Sequence, residues 1–259
     1  MAPTLEPEIR RCDLTAVVLE LKCLGLDVEG LAFMDRPDEE AGQSMDIDLS
    51  VSKACNMITV HSGLTTLSIL GAIDKHQNLT DAGRRMAALP VGPKFSRAIL
   101  ASGSLGCSKE VIDIVSMLST SSRLFFSVPN NESNTVGARD KFKHHSGDHC
   151  TILNAFRAYQ EVVSTATGRE VKSWCAVNFL NERALSEAME IRRQLRRICE
   201  RIGINTDLSC GDQEQPILRS LVLGLIQNTA FLQSNGVYKQ VMGPSVSHTL
   251  GWAAGITHR

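Results

Sequence analysis

Aromatic residues are scarce: Phe, Tyr and Trp together make up 5% of the 259-residue chain. A core with so few rings has to be packed by Leu, Ile, Val, Ala and Met, as helical folds often are. An excess of charge of one sign is also missing. The formal net charge is −1 and the pI about 6.7, which excludes a chain-wide polyanion-binding surface and leaves only local basic patches. No apolar run reaches the ~18 residues of a membrane-spanning helix, so no membrane partner is expected. The longest candidate, SLVLGLIQNTAFL, is broken by Gln227, Asn228 and Thr229. None of the eight cysteines forms a C-x-x-C pair, which argues against a zinc ribbon or finger. With no signal-peptide pattern, reduced thiols are expected, several of them acting as small buried hydrophobes. Both G-x-x-x-x-G-K-[ST] and G-x-G-x-x-G are absent, so the chain is not expected to bind ATP by itself. The 43% of apolar residues suits a packed core, in one large domain or two to three small ones.

The elements present read as mainly α. DLTAVVLELKCLGL places Leu14, Val17, Val18, Leu21 and Leu24 at helical spacing, with Asp13 as N-cap and Gly25 as stop. RPDEEAGQSMDIDLS reads as an acidic loop, and VSKACNMITVHSG has strand-like β-branched content. LTTLSILGAIDKHQNLTDAGRRMAALP gives a helix, a turn and a second helix capped by Thr80, an arrangement suited to a winged-helix-like unit. From Pro93 the pattern is nearly all helical. One helix carries Phe95, Ala98, Ile99 and Ala101; another, N-capped by Ser108, carries Val111, Ile112, Val115 and Leu118. SRLFFSVPNN reads as extended, TILNAFRAYQEVV as a helix, TATGRE as a loop and SWCAVNFL as a short helix. ALSEAMEIRRQLRRICERIG is strongly amphipathic: Ala188, Ile191, Leu195, Ile198 and Ile202 form the buried stripe, and Arg192, Arg193, Arg196, Arg197 and Arg201 the polar face. PILRSLVLGLIQNTAFL reads as a last helix with Pro216 at its start, and GVYKQVMG as one strand.

Chemistry concentrates in RDKFKHHSGDHCTIL. His144, His145, His149 and Cys150 are metal-ligand types, but no second cluster completes a four-ligand set, so no metal is expected. Cys150, His149 and Asp148 are sequence-adjacent, and adjacent side chains diverge, so no catalytic residue is assigned. Asp148 is expected to cap the helix that follows. The cations Arg139, Lys141 and Lys143, with Phe142 among them, make one candidate phosphate-binding stretch, and His149 lies close by in the sequence. The row Arg192, Arg193, Arg196 and Arg197 makes another. For that row the plainer reading is a solvated face paired with Glu187, Glu190 and Glu200.

A set of these stretches resembles the C-terminal part of a DEAH-box RNA helicase. It comprises PEIRRCDLTAVVLELKCLGL, LGAIDKHQNLTDAGRRMAALPVGPKFSRAIL, GCSKEVIDIVSML, GDHCTILNAFRAY and SWCAVNFLNERALSEAMEIRRQLRRIC, in the family's order and approximate spacing. The resemblance runs from about Pro7 to Tyr238. It implies a winged-helix domain over 7–90, a helical ratchet-like domain over 91–208 and the truncated start of an OB-fold over 209–259. It also implies an accessory role in RNA binding and remodelling, in splicing or ribosome biogenesis. The implied partners are single-stranded RNA, the helicase motor lobes and a protein activator, in the nucleus or nucleolus or in the cytoplasm. The intact family member is an NTP hydrolase. ATP and Mg belong to motor lobes absent from this sequence, so no cofactor is expected here and the chain alone is not expected to be catalytic. Two further departures stand out: an insert near 41–62 that matches nothing in the family, and an OB-fold that stops after about one strand. The alternatives to the helicase reading are a protein-interaction module and a non-functional fragment.

Overall fold

A computed structural model of the chain describes residues 13–26, 61–126, 132–234 and 238–242. It is mainly helical and divides into two compact units, Met1–Arg97 and Ala98–Arg259. The acidic loop, the insert up to residue 60 and the tail beyond 242 lie outside the described residues.

In the first unit, α1 (Thr15–Cys23) buries Thr15, Val18 and Leu19. Of the expected apolar stripe only Val18 is fully buried, and Val17 and Leu24 are exposed. A nine-residue helix buries only the narrow face set by positions i, i+3 and i+4. Asp13 lies just outside the formal N-cap, Leu14, yet its Oδ1 accepts the Thr15 N–H at 2.9 Å. A second helix, α2, covers residues 61–69 and buries Leu64 and Leu67, so the last residues of the strand-like stretch are helical. It ends at Gly71, whose φ of +73° lets the Ala72 N–H reach back to the Leu67 carbonyl at 2.8 Å. Asp74 Oδ1 then accepts the His76 and Asn78 amides at 2.8 and 2.9 Å and so folds the turn. Ile73 and Leu79 bridge in antiparallel fashion across it.

The helix α3 (Asp81–Ala87) starts as expected. Thr80 Oγ1 accepts the Gly83 N–H at 3.0 Å. Gly83 is needed for space: a Cβ there would stand 2.1 Å from the Ala72 carbonyl oxygen. The helix α4 (Pro93–Leu105) crosses the division between the units.

The second unit is built around α5 (Ser108–Leu118). Every residue from Ser108 to Met117 except Lys109 is buried. The sequence pattern shows one apolar face, but α7 (Asp148–Thr165), α9 (Glu182–Arg201) and α10 (Glu214–Leu225) all contact this helix. Its N-cap is Cys107; Ser108, expected there, sits one position inside. Phe156, Tyr159, Cys175, Leu180 and Leu185 form a hydrophobic cluster with Phe142. A fully buried ring such as Phe156 contributes about 1.5–3 kcal/mol.

Several local expectations change. TATGRE is mostly helical: Thr167 and Glu170 form a capping box that starts α8 (Gly168–Val177) at Gly168. In α9 the fully buried residues are Ala184, Leu185, Ala188, Leu195 and Cys199; Ile191, Ile198 and Ile202 are half-buried. In α10, Pro216 is the third residue, not the first. A 3-10 turn over Ile226–Asn228 ends the helix, and Ala230–Leu232 becomes a strand, β1. It pairs antiparallel with β2 (Tyr238–Gln240), with Phe231 opposite Lys239. The strand expected from GVYKQVMG is therefore half of a two-stranded ribbon.

Candidate nucleic-acid interface

Arg139 lies in the last turn of α6 (Glu132–Asp140), and Lys141 and Lys143 lie in the turn that follows. All three are exposed. The Arg139 guanidinium sits 5.0 Å from the centroid of the Phe125 ring and 3.8 Å from Asp148 Oδ1. Lys141 Nζ donates to Asn178 Oδ1 at 3.2 Å. Lys143 makes no ion pair among the described residues. Phe142 is not available for stacking a base. It is 8% exposed, it meets Trp174 edge-on at 6.2 Å, and its carbonyl takes a hydrogen bond from Asn154 Nδ2. The ring anchors the basic turn to the core, so the cations project from a fixed base.

The helix α7 does not use Asp148 as its cap. The N-cap is Gly147, whose φ of +106° and ψ of −170° lie in a region essentially confined to glycine. Asp148 is the first helical residue and makes no capping hydrogen bond; its charge still suits the positive end of the helix. The sequence contains the glycine, but a carboxylate before an apolar run is the commoner signal, and the backbone conformation that overrules it is not visible in composition. His149 is half-buried, and burial pushes its pKa down with Asp148 opposing. Near neutral pH it can offer an N–H but little charge. Cys150 is buried, and burial raises its thiol pKa. Burial likewise pushes Cys107, Cys175 and Cys199 up to about 11, and none of these thiols is poised as a nucleophile.

The arginine row of α9 is not one uniform face. Arg192 Nε lies 2.5 Å from Asp113 Oδ1, and the two side chains are 18% and 2% exposed. Arg196 pairs with Asp207 at 2.5 Å, and Arg193 with Glu190 at 2.6 Å. Arg197 is exposed and has no ion pair among the described residues. The expected partners Glu187 and Glu200 are used elsewhere, by Ser121 and Thr206. Beside Asp113, α5 buries a second carboxylate. Glu110 accepts from Arg157 at 3.0 Å and from the Ser209 hydroxyl at 2.6 Å. Sequence reading places Glu110 only in a first turn and gives Asp113 no role; both face cations from helices that are distant in sequence.

Tertiary folding also brings Glu214, the first residue of α10, to the histidine turn. Its Oε2 lies 3.2 Å from His145 Nε2 and 3.7 Å from His144 Nδ1. The Ser146 hydroxyl donates to the same oxygen, and this bond is the main reason the Glu214 carboxyl is held below the usual range.

Family models match two adjacent segments: the helicase associated domain (HA2), winged-helix, at residues 63–91, and the helicase associated domain (HA2), ratchet-like, at residues 92–152. The ATP-dependent RNA helicase DHX33 of Mus musculus is 33% identical over 236 residues, covering 90% of this chain and 30% of that protein. The Homo sapiens DHX33 is 34% identical over the same shares. The probable ATP-dependent RNA helicase DHX35 of Homo sapiens is 32% identical over 237 residues, 91% of this chain and 30% of that protein. The chain thus spans about 30% of the length of the curated relatives it matches.

Proposed function

Starting from a chain that carries the HA2 winged-helix and ratchet-like domains, and is homologous over 90% of its length to the C-terminal region of DEAH-box RNA helicases, we propose that it acts as the accessory region of such a helicase. In that role it contributes to RNA binding and remodelling during RNA processing, in splicing or ribosome biogenesis. Its partners are single-stranded RNA, the helicase motor lobes and an activating protein, and the setting is nuclear, nucleolar or cytoplasmic. The homologous region lies away from the ATPase motor, so neither ATP nor Mg is assigned to any residue here.

The observation that carries this reading is the basic turn: Arg139, Lys141 and Lys143 stand exposed on one rigidly anchored segment. Point charges of this kind track a phosphate backbone without reading bases. Of Arg192, Arg193, Arg196 and Arg197, Arg197 alone has no ion pair among the described residues and is free to add to them, while Arg192 and Arg196 are engaged by Asp113 and Asp207. The test is single-stranded RNA binding by anisotropy across a salt series. Lys141→Glu with Lys143→Glu should weaken binding evenly across sequences and reduce the slope of log affinity against log salt by about 1.4, two phosphate contacts' worth. Unchanged affinity and slope would remove this surface from the RNA path. A second reading, a protein-interaction module, is favoured by the exposed Phe231 and Leu232 on the ribbon, and it predicts that unchanged result.

A further inference from the structure

We propose that His144, His145 and Glu214 form a three-donor site for a borderline divalent transition-metal ion, with zinc the best match, that staples the start of α10 to the turn preceding α7. Nothing in this rests on RNA binding. The sequence argues against a metal because no second cluster completes a four-ligand set; the fold supplies a carboxylate from about 70 residues downstream. Two imidazoles and one carboxylate are a donor set suited to zinc, leaving a position for water.

The geometry is close to what an ion needs. The three donor atoms, one from each residue, all lie within 4.8 Å of one another. In a tetrahedral site with metal bonds near 2.0–2.1 Å, donor atoms stand about 3.3 Å apart. The His145–Glu214 edge is 3.2 Å and the His144–Glu214 edge 3.7 Å. Neighbouring side chains usually diverge, yet these two rings stack at 4.5 Å with 26° between their planes, so both present a nitrogen to one carboxylate. The turn is held in place: the His144 N–H donates to Thr151 Oγ1 at 3.0 Å, and Phe142 is fixed in the core. The Ser146 hydroxyl on Glu214 is the kind of outer partner that orients a ligating carboxylate.

Two features oppose the ion. The Ser146 N–H donates to His144 Nδ1 at 3.2 Å and must release it, and Glu214 opens a helix whose positive end disfavours cations. Affinity should therefore fall below that of a closed four-ligand site. A bound ion would add positive charge beside the exposed Lys143.

The test uses the full chain and zinc chloride in competition with a chromophoric indicator, with cobalt(II) as a spectroscopic probe. The wild type should bind one equivalent and gain thermal stability with zinc. His145→Ala and Glu214→Gln should each lose at least about tenfold in affinity and abolish that gain, while His76→Ala, in the other unit, should not. The cobalt spectrum should lack thiolate charge-transfer bands. Because His145 is 79% exposed, its variant should fold normally, which far-UV circular dichroism checks. Wild-type affinity in either site variant, thiolate bands, or no saturable binding at all would each overturn the assignment.

Discussion

Replacing Arg192 by Met should destabilise the chain by about 3–5 kcal/mol, at the lower end because Arg192 retains 18% exposure and water can enter its place. Asp113 is 2% exposed and lies 2.5 Å from the guanidinium. Its other donor is Gln160 Nε2 at 3.3 Å, and the nearby Glu110 charge works against ionisation. Methionine fills a similar volume, so the main loss is the cation, and Asp113 is left as a buried carboxylate with one weak neutral partner. Urea unfolding followed by circular dichroism measures the cost, and a thermal shift of about 6 °C or more should accompany it. Adding Asp113→Leu to Arg192→Met should return stability towards wild type, because a buried ion pair exchanged for apolar groups is often neutral.

The pH dependence gives a second check on the same pair. Burial already raises the Asp113 pKa while Arg192 opposes it; without Arg192 it rises further. A carboxyl raised in the folded state costs stability in full above that raised value and nothing below the unfolded value, about 3.9. The gap between wild type and Arg192→Met should therefore shrink as pH falls from 7 towards 4. A cost under about 1 kcal/mol with no coupling to Asp113 would mean that the pair is solvated and would return Arg192 to the pool of cations free to meet RNA.

Gly83→Ala should destabilise the first unit by ~1–3 kcal/mol or more in thermal unfolding, against the usual helix-favouring sign of this change, because the new Cβ would meet the Ala72 carbonyl at 2.1 Å. A gain in stability would mean that α3 can move away from the turn. In native conditions at neutral pH, maleimide should label Cys23, which is exposed, well before Cys107, Cys175 or Cys199, which are buried and have pKa values pushed up to about 11. Peptide mapping with and without urea separates them. Equal labelling rates would contradict the buried placement.

Much of the architecture was decided by local chemistry. Apolar residues at helical spacing set most of the helices from Pro93 onward. Thr80 before Asp81–Ala87 set a cap, and scarce aromatics with ample Leu, Ile and Ala set a mainly helical core. These signals act within a turn or two of chain, so sequence carries them. The site was less legible. Phe142 reads only as a ring among three cations until the fold shows it pinned against Trp174. The five arginines of the α9 polar face, Arg192 to Arg201, look alike until Asp113 and Asp207 select two of them. Asp148 looks like a cap until Gly147 adopts a conformation that asks for no side chain. Glu110, Asp113 and Glu214 acquire their roles from partners about 47 to 100 positions away. A charge's role depends on how far it is desolvated and on what faces it, and both are properties of packed helices in three dimensions. Helical spacing, caps and the family resemblance are therefore written along the chain, whereas the packing of distant helices separates the charges that hold the fold together from those left exposed to meet a partner.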